Sequence, residues 1–588
     1  MMQQISINKA NELKDQELMA VNGPPGTGKT TLLKDIIANI IVKRALKIID
    51  ANYKIFDDEG KLIDDLKGFG IVVTSNNNTA VENISIELPK IDEDVKNSLS
   101  AINEDGFRYF EDLIRKYVEE ISTSPKQSTT EDNEDIDEDL SIEDIEEVKK
   151  SEYLGLLSIP LGNSTNRERA RSLLNVFKTD IDQEQIPSEE DIIQIGRKIK
   201  DLKSKIEELS KKHKDYYTYL IDLENLQKKK DQIEADIKAL ENELSNLTKE
   251  KESLETAISK LEEKKKEVIN LLDMHEKSRP SGLVNFLSIF LKAYKTKIEK
   301  WEKDKQNLMD ERSSLNKSLD EKEQYKEKLQ SDINIRQSKL SKIKADKENI
   351  DKELSVKLNL VQDMESNYKD MLLPKDLYKK IISGNQLTDD EKKHIYKFTP
   401  YKHEELNKLR MQIFIESLKL HKLLIARHKE EFKKILNIFT AFLLNPDQFT
   451  NDKYSMEDLF NTFFFVIPVT STTFYSFGTL FKKMNKSGIG YLMVDEAGQA
   501  VPQQALMPLY KSNKAIVVGD PLQIEPVVNI TPELDNYLIK SFNIIKSFNI
   551  ENRERYLITS SSVQVLADYG SSIGASSCRL WVFHRSFL

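Results

Sequence analysis

Ten residues constrain this chain more than any others: Val21 to Thr30, V-N-G-P-P-G-T-G-K-T. They fit the spacing G-x-x-x-x-G-K-[ST], which carries meaning where a strand enters it and a helix leaves it. Both flanks are present. Leu18 to Val21 are apolar and read as a buried strand, and Leu32, Leu33, Ile36, Ile37, Ile40 and Ile41 recur at helical spacing in a helix running to about Arg44. A loop of this kind gathers backbone N–H groups and the positive end of the following helix around phosphate oxygens. Gly23 and Gly28 permit backbone conformations and close approaches that a Cβ would obstruct. Lys29 is then placed to reach β- and γ-phosphates, and the Thr30 hydroxyl to ligate Mg²⁺. The cofactor-binding run expected here is Gly23, Pro24, Pro25, Gly26, Thr27, Gly28, Lys29, Thr30 and Thr31.

A chain of 588 residues is too long for one core and implies several structural units. Charged residues make up 32% of it, more than an ordinary domain carries, so some long solvated element is required. The formal charge of −10 is misleading about polyanions: Glu131 to Glu147 contains eleven acidic and no basic side chains, and setting it aside brings the total from −10 to +1. A nucleic-acid surface would therefore have to be a local basic groove. The single cysteine, Cys578, excludes an internal disulfide framework and a zinc site of several thiolates. The first residues form no signal-type apolar region, and the best apolar stretches, around Leu283 to Leu291 and Ile435 to Leu444, are too short for a membrane span. These features together imply a cytoplasmic protein with no membrane partner.

Along the chain, residues 1–90 have α/β character: the glycine loop and its helix, then Ile71-Val72-Val73-Thr74 as a buried strand running into S-N-N-N-T-A-V-E-N. Residues 91–194 give weak signals and include Ser122 to Glu147, whose composition is that of a solvated, disordered spacer. From 195 to 365 the pattern changes to heptads. Leu240, Leu244, Leu247, Leu254, Ile258, Leu261, Val268 and Leu272 follow a four-three spacing, with Lys251 and Lys265 filling the missing positions. Leu308, Leu315, Leu319, Leu329, Ile333, Leu340, Ile343, Ile350, Leu354 and Val361 continue it. Pro280 and Gly282 break the helix between the runs, so an antiparallel coiled-coil hairpin is expected, with arms of about 60 to 75 residues or about 90 to 110 Å.

Residues 366–455 return through a long amphipathic helix, Glu404 to Phe439. In 456–530 three strands are expected: Phe463 to Val469 leading to T-S-T-T, Tyr491 to Val494 ending in Asp495-Glu496, and Ala515 to Val518 ending in Gly519-Asp520. Polar clusters just beyond strand ends lie where an open parallel sheet places its ligand crevice. The middle of the chain is thus an insertion into one nucleotide-binding α/β fold.

Triphosphate hydrolysis needs a metal, a polarised water and a sensor of the γ-phosphate. Asp495 at a strand end suits the metal, Glu496 suits the water, and the neutral Gln523 suits the sensor. These segments resemble the superfamily 1 DNA/RNA helicases, in the group related to the nonsense-mediated-decay helicase and its bacterial AAA-domain relatives. G-P-P-G-T-G-K-T (23–30) is similar to motif I, S-N-N-N-T-A-V-E-N (75–83) to Ia, V-T-S-T-T (469–473) to Ib, V-D-E-A-G-Q-A (494–500) to II and V-G-D-P-L-Q-I-E-P-V (518–527) to III. L-G-N-S-T-N-R (161–167), L-R-M-Q-I-F-I-E-S-L-K-L-H-K (409–422) and S-S-V-Q-V-L-A-D (561–568) resemble the bacterial members.

The resemblance implies a RecA-like P-loop fold and an ATP-dependent helicase using ATP and Mg²⁺, with 5′ to 3′ translocation on single-stranded DNA or RNA. Lys29 and Thr30 would bind phosphate and metal, Asp495 the metal, Glu496 would be the catalytic base, Gln523 would couple the γ-phosphate to strand binding, and Asp520 would belong to the nucleotide-binding set. Gln3 sits where that family reads adenine, with Gln4 a close alternative. Ser75, Asn76, Asn77, Thr470 and Thr472 would touch the nucleic-acid backbone, a task that suits small hydroxyl and amide groups. N-cap and turn duties suit them as well.

Residues 531–588 depart from the family's pattern. W-V-F-H-R-S-F-L (581–588) looks like a compressed motif IV, making Arg585 the candidate for a second-domain arginine, and motifs V and VI are absent. With the exact repeat of I-K-S-F-N-I in 539–550, this reads as a remnant leading to a missing second RecA-like domain, so weak hydrolysis is expected of the chain alone. Two other readings remain. One is a non-catalytic, nucleotide-switched coiled-coil protein that recruits a partner; the other is an ABC-type chromosome-maintenance ATPase, which would need an L-S-G-G signature that 470–490 lacks.

Overall fold

The computed structural model describes residues 2–24, 27–76, 81, 85–123, 151–280, 292–398, 403–520, 525–528, 530–542, 558–559, 561–571, 573–576 and 582–584. The expected acidic spacer falls almost wholly outside these residues, as does the second copy of the I-K-S-F-N-I repeat. Two compact units are present, one of Met1–Lys211 with Asp370–Leu588 and one of Lys212–Lys369.

The first unit is organised by one sheet. Its strands are β1 Leu18–Asn22, β2 Ile71–Ser75, β3 Ser158–Pro160, β4 Val469–Thr473, β5 Ile489–Val494, β6 Ser512–Gly519, β7 Ile573–Ser576 and β8 Val582–His584. They lie in the order β3-β4-β2-β5-β6-β1-β7-β8. Every neighbouring pair is parallel except β7 with β8. Parallel strands need long crossovers and cover on both faces, which is why these segments are apolar on both sides. Alternation then divides their side chains between two cores. Ala20, Val72, Leu492, Val494, Ala515 and Val517 enter one with a phenylalanine-rich helical layer; Met19, Val21, Ile71, Val73, Met493, Ile516 and Val518 enter the other with Leu32, Leu33, Ile36 and Ile37 of the helix Lys29–Asp50.

Two sequence expectations change here. Phe463 to Val469 is not a strand: Met456–Val466 is a helix, started by a capping box in which Ser455 and Asp458 exchange hydrogen bonds, and the strand is V-T-S-T-T itself. The helix is buried on every side, so its apolar residues show no period that separates helix from strand. The predicted helix Glu404 to Phe439 is two, Glu404–Arg427 and Lys429–Leu444, joined at His428. At the far end of the chain, β7 pairs with β1 and β8 with β7, so the described strands of 531–588 extend the same sheet.

A buried cation ties three helices around that sheet. Arg44 is 2% exposed; its Nη1 and Nη2 donate to the carbonyls of Phe464 (2.6 Å) and Phe465 (3.3 Å), and its Nε donates to His421 Nε2 (2.8 Å). Those carbonyls close the helix Met456–Val466, where orphan acceptors and the negative end of the helix dipole favour a cation. Burial brings the Arg44 pKa down to about 10, which leaves it charged at neutral pH. Burial drives the His421 pKa well below its ordinary value, and its Nδ1 faces the Ser417 carbonyl at 2.5 Å, so the ring is neutral and Nε2 is the acceptor.

The second unit is the expected coiled-coil hairpin, made of the helix Glu189–Lys277 from Lys212 onward and the helix Lys292–Asn367 (76 residues). Heptad positions meet across it: Leu254 and Ile258 pack with Leu319 and Leu329, and Val268 and Leu272 with Leu315. Ion pairs Lys230–Asp351, Lys347–Glu234, Arg336–Glu243 and Lys326–Glu255 run with one number rising as the other falls, which marks the antiparallel register. Each is partly exposed and adds little stability alone. Residues 281–291, with Gly282 of the expected break, lie outside the described residues.

Arg44→Ala should strand two helix-terminal carbonyls and His421 Nε2 without donors, at a cost of about 3 kcal/mol or more. A lowered urea midpoint for the variant would register that loss; an unchanged midpoint would show that Arg44 contributes nothing net.

Candidate active site

The carboxyl-terminal ends of β1, β6, β5 and β2 lie side by side, with Asn22 in register with Gly519 and Thr74 with Val494. Gly23, next after β1, donates its N–H to the Gly519 carbonyl at 2.9 Å. Gly28 has φ 79° and ψ 36°, a left-handed conformation that favours glycine, and it directly precedes the helix Lys29–Asp50. Gly28 has no side chain with which to cap that helix, and a helix N-terminus of this kind suits an anion. Thr27 folds back on the loop instead: its hydroxyl and its N–H both donate to the Pro24 carbonyl, at 2.7 and 3.3 Å. Thr30 and Thr31 lie in the first turn of the helix, with Thr30 exposed.

β5 supplies the acidic pair. The Asp495 N–H donates to the Thr74 carbonyl (3.0 Å), and Glu496 follows with φ 51° and ψ 40°, an uncommon conformation for a glutamate. The Glu496 Oε1 accepts from Lys29 Nζ at 2.9 Å, bringing the glycine loop and the acidic pair into direct contact. Burial and then the neighbouring Glu496 carboxylate push the Asp495 carboxyl up to about 6, against the opposing pull of Lys29. Its Oδ1 is buried with no hydrogen-bond partner, and so are the hydroxyls of Thr74 and Ser75.

Orphaned polar atoms gathered at adjoining strand ends call for an occupant. The donor chemistry fits Mg²⁺, a hard cation satisfied by oxygen. Asp495 and Thr30 would hold it. Among the described residues no group of three or more His, Cys, Asp or Glu could hold a metal ion, so phosphate and water oxygens would complete its shell.

The remaining candidates divide. Asp520 is buried just beyond β6, and Gly498 passes it so closely that a Cβ would lie 2.5 Å from the Asp520 carbonyl oxygen. Asn76 is exposed beyond β2; its Nδ2 donates to the Gln499 carbonyl (3.2 Å) and its Oδ1 accepts from Gln504 Nε2 (3.0 Å), joining it to the loop after the acidic pair. Thr470 and Thr472, expected beyond a strand end, are instead fully buried inside β4. The Thr470 hydroxyl donates to the Ile159 carbonyl at 2.8 Å, and the Thr472 hydroxyl to the Thr473 carbonyl at 3.3 Å. The shift of the strand from Phe463 to Val469 is what carried both hydroxyls inward. Ser75 is likewise buried, as the last residue of β2. Pro25, Gly26, Asn77, Gln523 and Arg585 lie outside the described residues; Gln3 belongs to the helix Met2–Glu12, with its side chain outside the description.

Three further side chains border the site. Gln564 Nε2 donates to Asn22 Oδ1 (2.5 Å) and to Asp568 Oδ1 (3.1 Å), while Asn22 Nδ2 donates to Asp568 Oδ2 (3.0 Å). Burial raises the Asp568 pKa. Both helix residues lie in S-S-V-Q-V-L-A-D, which is held here by the pairing of β1 with β7 and by the Val563 N–H donating to the Ala500 carbonyl at 2.9 Å.

Parallel sheet, glycine loop and acidic pair define a P-loop NTPase-like α/β domain. A family profile described as an AAA domain, one found in superfamily 1 helicase-like proteins, matches residues 448–530. That span contains β4, β5 and β6 with Asp495, Glu496 and Asp520. No curated protein matches the chain.

Asp495 titrates near 6 when folded against 3.8 for an ordinary aspartate, so the folded chain holds the extra proton between those values and loses stability as pH rises through them. Asp495→Asn should therefore stabilise the ligand-free protein above pH 6, by about 1 to 3 kcal/mol, with no advantage below about pH 4. Urea titrations of both proteins at the two pH extremes test this; equal midpoints at neutral pH would contradict it.

Proposed function

We propose that this chain is the ATP-binding and hydrolysing core of a superfamily 1 DNA or RNA helicase, of the group related to the nonsense-mediated-decay helicase and its bacterial relatives. The observation that carries the reading is the 2.9 Å ion pair between Lys29 and Glu496, which sets the glycine loop against the acidic pair beside an orphaned Asp495 oxygen. The AAA-domain match over 448–530 supports it.

In this reading Lys29 binds the β- and γ-phosphates of ATP, and the first turn of its helix offers N–H groups to them. Without nucleotide the Lys29 ammonium is held by Glu496. Phosphates draw Lys29 away, and the released Glu496 carboxylate can orient the attacking water and accept its proton. Magnesium held by Thr30 and Asp495 would neutralise charge on the transferring phosphoryl group. Gln523 would report the γ-phosphate to the strand-binding side. Single-stranded DNA or RNA is the proposed partner, contacted beyond the ends of β2 and β4, where Asn76 is the exposed candidate. The hairpin is proposed to dock a protein partner, and 5′ to 3′ translocation is the proposed work of the hydrolysis cycle.

Lys29→Ala should abolish ATP-Mg²⁺ binding in a fluorescence titration; equal affinity for parent and variant would sink the assignment. Glu496→Gln separates binding from chemistry. It removes the competitor for Lys29, so it should bind ATP-Mg²⁺ at least as tightly as the parent while phosphate release falls by about 10² or more. A variant that hydrolyses at the parental rate would remove Glu496 from the role of base.

A further inference from the structure

The polar cluster behind the glycine loop is built more tightly than a sheet edge requires. Gln564 is fully buried, on the helix Val563–Gly570, and its Nε2 serves two acceptors, Asn22 Oδ1 and Asp568 Oδ1. Asn22 is the last residue of β1, so this bond holds the residue from which the glycine loop springs. The other end of the same amide points elsewhere. Gln564 Oε1 is buried without a hydrogen-bond partner and lies 2.8 Å from where a Cβ on Gly519 would sit. That same spot is 2.9 Å from the Gly498 nitrogen and 3.0 Å from the Ala497 nitrogen, in the turn that follows Glu496. One side chain therefore touches the root of the glycine loop and abuts the point where the end of β6 meets the turn behind the acidic pair.

A buried amide whose oxygen has no partner, set against Gly519 at the end of β6, is costly to keep unless the arrangement does something. We infer that Gln564 is a positioning residue for the nucleotide site: it locks the end of β1 to the end of β6 and so sets the glycine loop against the turn carrying Glu496. The inference rests on the nucleotide reading above. Gln564 touches no phosphate in this scheme; it acts through Asn22 and through the backbone at Gly519. Glycine at 519 is part of the device, since any Cβ there would collide with the amide and with both nitrogens.

A neighbouring contact supplies the control. Ser571, which follows the same helix, binds the middle of β1 rather than its end: its Oγ accepts from the Ala20 N–H at 3.2 Å and donates to the Leu18 carbonyl at 3.1 Å. Removing it should loosen helix from strand without reaching the loop.

The test uses the full chain, with ATP-Mg²⁺ affinity from fluorescence titration and the melting temperature of each protein. Gln564→Met keeps the size of the side chain and removes its hydrogen bonds, and should weaken ATP-Mg²⁺ binding about tenfold. Asn22→Ala should weaken it similarly. The double variant should be no more than about threefold worse than the weaker single one, because both changes cut one network. Ser571→Ala should lower the melting temperature and leave affinity within about twofold. Additive losses in the double variant, or an affinity loss in Ser571→Ala equal to that of Gln564→Met, would assign the effect to general loosening and overturn the inference. Parental affinity in Gln564→Met would overturn the role of Gln564 alone. A parent protein that does not bind ATP-Mg²⁺ would overturn the nucleotide reading and this inference with it.

Discussion

Parallel register among β1, β6, β5 and β2 is the constraint on which the site depends. Hydrogen bonding in that register ends the strands on one edge, with Asn22 beside Gly519, Val494 beside Val517 and Thr74 beside Val494. Residues far apart in the chain then come within bonding distance: Gly23 of Gly519, and Lys29 of Glu496. A slip of one residue in any pair would exchange the two faces and bury what now stands at the edge. Register is in turn held by the alternating side chains of each strand, which fill two separate cores.

The site stores unfavourable arrangements that this frame sustains. Glu496 lies in left-handed backbone, Asp495 carries a carboxyl whose ionisation burial opposes, and three polar atoms nearby lack partners. None of these helps the ligand-free fold. In the nucleotide reading proposed above, a cation would satisfy the Asp495 carboxylate and its orphaned oxygen and so offset part of this cost. The rigid side of the bargain is visible in Arg44, where a buried guanidinium gathers the end of one helix, a neutral histidine on another and its own P-loop helix into a single joint.

Much of the fold was legible because its patterns are local. The strand at Leu18, the helix after Lys29, the acidic pair after Val494 and the heptads of the hairpin each declare themselves within a short window, and the structure has all of them. The misreading at Phe463 has an equally physical cause: a helix buried on every side has no polar face to reveal its period, so its apolar run imitated a strand. That error propagated to the site, since moving the strand by a few residues carried Thr470 and Thr472 from the proposed surface into the sheet. The short strands β3 and β7 were not legible either; each depends on partners hundreds of residues away, β3 on β4 and β7 on β1.

By itself the sequence determined the identity of the chemical groups and their local settings: a glycine loop between strand and helix, an aspartate and a glutamate after an apolar run, and a long heptad insertion between them. These follow from neighbour-to-neighbour sterics and hydrophobic periodicity, which need no knowledge of the rest of the chain. Only the tertiary structure decided that Lys29 meets Glu496, that Asp495 keeps an unsatisfied oxygen, and that Gln564, from a stretch near the other end of the chain, braces the root of the glycine loop. Strand order and long-range register produce those contacts, and both are properties of the assembled sheet rather than of any segment within it.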